Sequence, residues 1–600
     1  MGSGMAGSSP ESGMLGFARR FIALAGGYWN SERKWRVRLL TLALAVLTIG
    51  QVIVPVLINL WSQRLFDALE QRSMDRFLAM VLAVLGIIAF NIVNTMLHLK
   101  VKRRLQFGWR NWLTHRVIDK WLVRGRHHQV TYLPGDHDNP DGRIAEDVRI
   151  TTELAIDLGH SVVFCLLLLG SFISILWRLS GEIEVDIGGI EFMLHGYLLY
   201  VALIYAAVGT TIAMLLSRPL VQAANRRQSK EADFRFGLAR IRENAQAIAL
   251  LHGEGDERRN MFGLFSWVRQ GWDSQTKALA HMMVFSAAYS VLSAAFPILI
   301  VAPRYIVGAI TLGVLMQTSQ AFQQTVSALS WPIDNLPRVA EWKASVERVL
   351  GLNDALTQLD RETAGEGGQR ILVERLDTGA SLTFHNLTIS DPNGKTVIEP
   401  FDLDIQPGER VLIVGDAGAV IRLFRSVARV WPWGQGRISL PAHTRVFFMA
   451  HRPYIPRGSL RDALSYPAEG TTVKDGEASE ALLRVGLGFL IPRLDDSEAW
   501  DEVLAASEKQ RLGFARLLLR KPDWIFVEDA MDALDQAGED LMLSILDNEF
   551  REATLLTIGS HESLEEHHTR KLVFERTNGS VTLREDACRI IGWSAVDPVM

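Results

Sequence analysis

The residues best placed for chemistry lie in VLIVGDAGAVIRLFRSVARV, 411–430. An apolar β-type run ends at Gly415, a tight turn follows, and 423–430 has the period of an amphipathic helix. Strand, glycine turn and helix are the setting of the phosphate-binding pattern G-x-x-x-x-G-K-[ST], the P-loop. Gly415, Gly418 and Ala419 keep the turn. Val420, however, stands where the second motif glycine belongs, Ile421 replaces the lysine and Arg422 replaces the hydroxyl residue. The lost parts have separate roles. The glycine lets backbone approach phosphate, the lysine reaches the β- and γ-phosphates, and the hydroxyl holds Mg²⁺. A charge-assisted hydrogen bond contributes about 1.5–3 kcal/mol. Losing several together exceeds the roughly 4 kcal/mol that separates micromolar from millimolar binding. Arg422 is either a replacement phosphate ligand or a solvated surface arginine, because a cation at a helix N-terminus is unfavourable without an anion beside it.

A second constellation closes the strand WIFVED, 524–529. Glu528 could ligate Mg²⁺ and Asp529 could orient water; without the lysine, both read equally as charged ends of a buried strand. ATP and Mg²⁺ are therefore the cofactors to consider, and the residues present require neither. Asp157, His160, His195 and His281 fall in or near apolar runs. Ionisable groups there are candidate proton carriers, although each sits near a run's end, where water can solvate it. The 2 cysteines, Cys165 and Cys588, lie far apart, so neither a disulfide framework nor a metal site is expected.

The elements that must position these residues fall into two classes. Six apolar runs, at 39–60, 77–99, 156–177, 192–216, 280–301 and 306–330, each approach the ~20 residues that cross a bilayer as a helix. The last carries Gln317, Gln320, Gln323 and Gln324 and is expected to face other helices or a cavity. The basic, aromatic stretch 17–29 suits a membrane surface. Lys100, Lys102, Arg103, Arg104 and Arg110 follow the second run, and Arg218, Arg226, Arg227 and Lys230 follow the fourth. GEIEVDIGGIE, between the third and fourth, has neither Lys nor Arg. The positive-inside rule then places both termini and both long loops in the cytoplasm. A mean hydropathy of +0.12 fits a chain partly in lipid. The balance of 63 Lys+Arg against 67 Asp+Glu gives no warrant for a nucleic-acid partner. From 371 to 583 the pattern changes to short strands alternating with helices. The expected architecture is an α-helical six-span membrane domain at 17–352, a linker at 353–369 and an α/β P-loop-type nucleotide-binding domain at 370–600. Residues 1–16 read as an expression scar or disordered tail, with no cleavable signal peptide.

This layout resembles half of an ABC transporter, and further stretches resemble ABC ATPase elements in the same order. FFMAHRPY at 447–454 is similar to the Q-loop strand, with His451 at the glutamine position. LAASEKQR at 504–511 is similar to the signature LSGGEQQR, with Ala505, Ala506 and Ser507 in place of Ser-Gly-Gly. WIFVED is similar to Walker B with Glu528 and Asp529 in reversed order, and DALD at 532–535 to the D-loop. LLTIGSHESL at 555–564 is similar to the switch segment, with Ser560 at the histidine position or His561 one place late. In the membrane half, NPDGRIAEDVR at 139–149 and EADFRFGLARIREN at 231–244 resemble the cytoplasmic-loop motifs of one ABC group. That group holds the BacA/SbmA-like peptide and cobalamin importers, with the peroxisomal fatty-acyl half-transporters as relatives. The resemblance implies an exporter-type fold in a bacterial inner membrane, paired with a second copy of itself as a homodimer. It implies a degenerate nucleotide site formed by Gly415, Gly418, Ala419, Arg422, His451 and Ser507. It also implies coupling loops carrying Asn139, Asp141, Arg143, Glu146, Asp147, Glu231, Asp233 and Arg235.

Three functions compete. The first expectation is an importer of peptide-like or other hydrophilic cargo, driven by a proton or cargo gradient, whose ATPase domain has lost most of its catalytic motifs. The second is an ATP-driven ABC transporter with unusual motifs or an active partner chain. The third is a membrane-bound sensor or regulator that binds a ligand without moving it.

Overall fold

The apolar runs fold into helices much longer than a bilayer is thick. The computed structural model describes residues 14–587 apart from 134–138, 188–189, 365–369, 378–380, 469–472, 560–561 and 578. In it the runs become α1 (Met14–Trp29), α2 (Lys34–Glu70), α3 (Met74–Leu122) and α4 (Val148–Ser180). They continue as α5 (Tyr197–Glu243), α6 (Glu254–Ile306) and α7 (Leu312–Ala364). At ~1.5 Å per residue the 53 residues of α6 extend about 80 Å, well past a ~30 Å hydrocarbon core.

Five helices among the described residues, α2 to α6, are long and apolar enough to span a membrane. That corrects the expected six. The sixth run enters α7, where amides and hydroxyls dilute its apolar character and are buried among neighbouring helices. Gln317, Thr318 and Thr325 are buried, and Asn59 on α2 donates to the Gln317 carbonyl at 2.9 Å. The expected linker is helical as far as Ala364, as the end of α7.

The chain divides into two units, one of 1–116 and 139–350, the other of 117–138 and 351–600. In the first, α4 and α7 run antiparallel in a register held by polar pairs. Asp147, just before α4, takes a two-point ion pair from Arg348 at 2.5 and 2.8 Å. Ten residues along α4 and ten back on α7, Asp157 pairs with Arg338 at 3.2 Å. Further on, Trp331 donates to Ser161 at 2.5 Å and the Cys165 thiol to the Ala328 carbonyl at 3.1 Å. Between α4 and α5 lies an antiparallel hairpin of β1 (Glu182–Ile187) and β2 (Ile190–His195).

The second unit is built on one sheet. Its strands are β3 (Leu372–Leu376), β4 (Leu382–Ser390), β5 (Thr396–Ile405) and β6 (Arg410–Gly415). After α8 (Ala417–Val427) come β7 (Gly434–Pro441) and β8 (Val446–Met449). Next are α9 (Ala506–Arg520), β9 (Trp524–Glu528), α10 (Gln536–Glu549) and β10 (Thr554–Ile558). β11 (Arg570–Thr577) and β12 (Ser580–Ala587) close it. The order is β3-β7-β4-β5-β12-β11-β6-β10-β9-β8. β6, β8, β9 and β10 are mutually parallel and read as continuous apolar runs because both faces are covered. Val411, Ile525, Phe526 and Leu556 are buried there, with Leu512, Phe514 and Met542 of α9 and α10. The register sets Glu528 opposite Ile558 and Ile558 opposite Ile413. The carboxyl ends of these strands, where a ligand of an open parallel sheet binds, therefore gather Gly415, Glu528 and Asp529.

Candidate nucleotide site

A P-loop binds phosphate when the residues between strand and helix wrap their N–H groups around an anion. Here a single residue, Asp416, separates β6 from α8, and 417–422 are already helical. Gly415 has φ +123°, and a Cβ there would collide with the Phe574 carbonyl, so this turn requires glycine. Asp416 then caps α8. Its Oδ1 accepts the Ala419 amide at 3.0 Å, while its Oδ2 takes Arg576 Nε at 2.9 Å and Nη2 at 2.8 Å. Burial pushes the Asp416 carboxyl up, but the Ala419 amide and Arg576, with Arg422 behind them, outweigh it and hold it below its ordinary value. A helix N-terminus attracts an anion, and the protein supplies that anion itself.

The remaining P-loop positions point elsewhere. Ala419 and Val420 are buried in the core. Arg422 folds back on its own helix, donating to the Gly418 carbonyl at 3.0 Å, and its guanidinium lies 5.3 Å from the Trp431 ring centre. The residues present do not fit a Mg²⁺-bound triphosphate at α8: Asp416 fills the anion position, and Ile421 and Arg422 put neither an ammonium nor a hydroxyl at the motif's own places.

At the neighbouring strand end the side chains form a closed network. Burial raises the pKa of Glu528, with Arg425 pulling it down and Asp529 pushing it up. Asp529 adopts φ +41°, donates its amide to the Ile558 carbonyl at 3.0 Å and accepts from His451 at 3.2 Å through its own carbonyl. His451 also lies 3.3 Å from the Asp532 carboxylate. Gln510 on α9 joins the pieces, donating to Asp532 at 2.6 Å and the His451 carbonyl at 3.3 Å and accepting the Ala533 amide at 3.0 Å. Sequence reasoning passed over Gln510 and Asp532. The signal was present in LAASEKQR and DALD, but polar residues on a surface-like helix and loop give no sign of being bonded to each other. Ser507 stands in the first turn of α9, where Glu508 accepts the Ala505 amide at 2.8 Å. Ser560 and His561 lie outside the described residues, as does Cys588.

The remaining candidates are not gathered into this site. Arg143 donates to the Arg348 carbonyl at 3.4 Å beside the Asp147 pair; Asn139, Asp141 and Glu146 share that segment. Glu231 and Asp233 make surface pairs with Arg227 at 3.3 Å and Lys230 at 3.2 Å, and Arg235 is exposed near them on α5. In the second unit it is 117–133 that meets the α/β residues. Tyr132 accepts from Arg425 at 3.0 Å with its ring against Trp431 at 5.0 Å, and Gln129 donates to the Val430 carbonyl at 3.3 Å. Asp157 is held by Lys102 at 3.2 Å, Gln106 at 2.9 Å and Arg338. His160 lies 3.2 Å from the Gln51 amide oxygen, with its ring 4.3 Å from that of His98. His195 ends β2, and His281 is exposed on α6.

Comparison with known proteins places this geometry. Residues 27–306 match the family described as ABC transporter transmembrane region 2. The chain is 29% identical to the inner membrane ABC transporter ATP-binding protein YddA of Escherichia coli, over 86% of this chain and 90% of that one. It is 27% identical to ABC transporter D family member 2, chloroplastic, of Arabidopsis thaliana, over 92% and 85% of the two chains. To human ATP-binding cassette sub-family D member 3 it is 23% identical, over 83% and 78%. The chain is thus similar, over most of its length, to proteins named as ABC transporters, sub-family D members among them, and its residues 27–306 to an ABC transporter transmembrane region. They give no specific support to the narrower BacA/SbmA-like grouping. They also overturn the first functional expectation, because these relatives are named as ABC transporter or ATP-binding proteins and none supports a gradient-driven mechanism.

Proposed function

We propose that this chain is one half of an ATP-driven ABC transporter whose hydrolysing P-loop is supplied by a different partner chain. ATP as the power source follows from the relatives, which carry ATP binding in their names. The partner follows from one observation: Asp416 holds the Ala419 amide and the Arg576 guanidinium where a phosphate would sit. Two identical chains would bring two such filled termini. A partner with a complete P-loop leaves this chain to contribute the segment beginning at Ala505 and the Gln510–Asp532–His451 network. Those bonds tie the signature-like helix to the strand end, so movement at one is felt at the other. The segment 117–133, seated on Trp431 and Arg425 through Tyr132, is the route by which the membrane helices would follow, since it continues α3 directly.

An inner-membrane setting is carried over from the E. coli relative's name, and the Lys and Arg pattern after α3's and α5's apolar runs puts the N-terminus and both long loops in the cytoplasm. The two loop motifs imply peptide-like or other hydrophilic cargo, and the relatives' names specify none. The test is ATP turnover by the purified chain alone against turnover by the assembly isolated through a tag on this chain. The proposal requires turnover in the assembly and none above background in the single chain.

A further inference from the structure

At the other end of the chain, α1 is fixed by its rings. Phe21 lies 4.9 Å from Trp342 of α7, Phe17 5.8 Å from the same ring, and Trp29 5.1 Å from Trp109 of α3. Tyr28 and Trp109 are buried in this contact. Held this way, α1 turns Leu15, Arg19 and Ile22 outward. The corner into α2 exposes Arg33, Lys34, Trp35, Arg36 and Arg38. Among the described residues no carboxylate pairs with Arg19, Arg33, Lys34, Arg36 or Arg38. Arg38 instead donates to the Asn30 side chain at 3.1 Å and lies 5.7 Å from the Trp35 ring centre.

Trp35 heads an exposed stripe, continued by Leu39, Leu42, Val46, Ile49 and Ile53 at helical spacing. A stripe of that kind faces acyl chains, and a tryptophan at its end marks the level of the headgroups. The unpaired cations are therefore held at the depth of lipid phosphates, on a surface whose shape the aromatic cluster sets. We propose that the α1–α2 corner is a binding site for an anionic phospholipid. Its headgroup is taken by Arg33, Lys34, Arg36 and Arg19, and its glycerol and upper chains lie along Trp35 and Leu39. Charge complementarity selects the occupant: within 30–38 one exposed carboxylate, Glu32, stands among four cations, so a zwitterionic headgroup brings an ammonium to a surface in cationic excess.

The test uses the purified full chain in mixed micelles with equal phosphatidylglycerol and phosphatidylcholine, counting retained lipid by native mass spectrometry. Each cation near the headgroup contributes roughly fivefold at low salt, so the protein should retain phosphatidylglycerol at least about tenfold over phosphatidylcholine. Arg33→Gln/Lys34→Gln/Arg36→Gln should lower that ratio severalfold, leaving the part that Arg19 contributes. Trp35→Ala should weaken both lipids and keep the ratio. Arg258→Gln/Arg259→Gln, on α6, should leave the wild-type ratio. If the triple variant misfolds by gel filtration, Arg19→Gln/Arg38→Gln takes its place and should lower the ratio severalfold. Equal retention by the wild type, a preference that survives these neutralisations, or one lost equally in the α6 control overturns the site.

Discussion

Arg576 Nη2 lies 2.8 Å from Asp416 Oδ2, and the same carboxylate accepts the Ala419 amide at 3.0 Å. One aspartate thus does for α8 what a phosphate does in a working P-loop. It gives the Ala419 N–H a charged acceptor beside the Asp416 backbone carbonyl, also at 3.0 Å, and its negative charge offsets the positive end of the helix dipole.

The cap has a measurable stability. Asp416→Ala should expose the first turn of α8, with amide exchange near Ala419 about fivefold faster at neutral pH, since losing an N-cap costs about 1 kcal/mol. Its pH dependence has a fixed sign. A carboxyl whose folded pKa lies below its unfolded value stabilises the fold above the unfolded pKa, and loses that contribution as pH falls through the folded one. The difference between wild type and variant should be full at pH 7 and fade below about pH 4. A difference that grows on acidification would count against the cap.

Glu528 has the opposite sign. Its pKa is raised, chiefly by burial, so its charged form works against the fold at neutral pH. Glu528→Gln should raise the midpoint of thermal unfolding at pH 7, and the gain should shrink as pH falls into the ordinary glutamate range. A lower midpoint at pH 7 would show that the carboxylate holds something its half-buried position does not reveal.

The network around Gln510 should be sensitive to one side chain. Gln510 is buried and bonds three partners. Gln510→Ala leaves the part-buried Ala533 amide and His451 carbonyl without it, at about 0.5–1.5 kcal/mol per lost hydrogen bond. Gln510→Glu, which sets a second carboxylate against Asp532, should cost more than the alanine. Thermal unfolding of both variants, read side by side, checks the order.

The α4–α7 register predicts coupling. A double-mutant cycle on Asp147→Ala and Arg348→Ala should give an interaction of about 1–2 kcal/mol, because Asp147 is buried while Arg348 is partly solvated. Asp157→Ala and Arg338→Ala should couple less cleanly, since Lys102 and Gln106 also hold Asp157. Equal additivity at both pairs would dissolve the register.

How much of this was legible in the sequence differs from residue to residue. The spans followed from apolar length, and the error came at 306–330, where four glutamines turned a span-length run into a buried polar helix. The failed P-loop pattern at Val420, Ile421 and Arg422 was visible at once. Its consequence was not: whether Asp416 caps a helix or sits in an open loop depends on Arg576, 160 residues away. A still longer separation hid the contact of Tyr132 with Trp431. Pairing across hundreds of residues leaves no period to read.

The most direct test of the central claim is Mg²⁺-ATP turnover by the purified chain alone, by its Ile421→Lys/Arg422→Ser variant, and by the assembly drawn from membranes through this chain. The account predicts background turnover in the first two, because Asp416 still fills the helix terminus after the repair, and turnover on the order of 1 s⁻¹ or more in the assembly. Turnover of that size by the single wild-type chain would contradict it, and would mean that Asp416 yields its place to a phosphate.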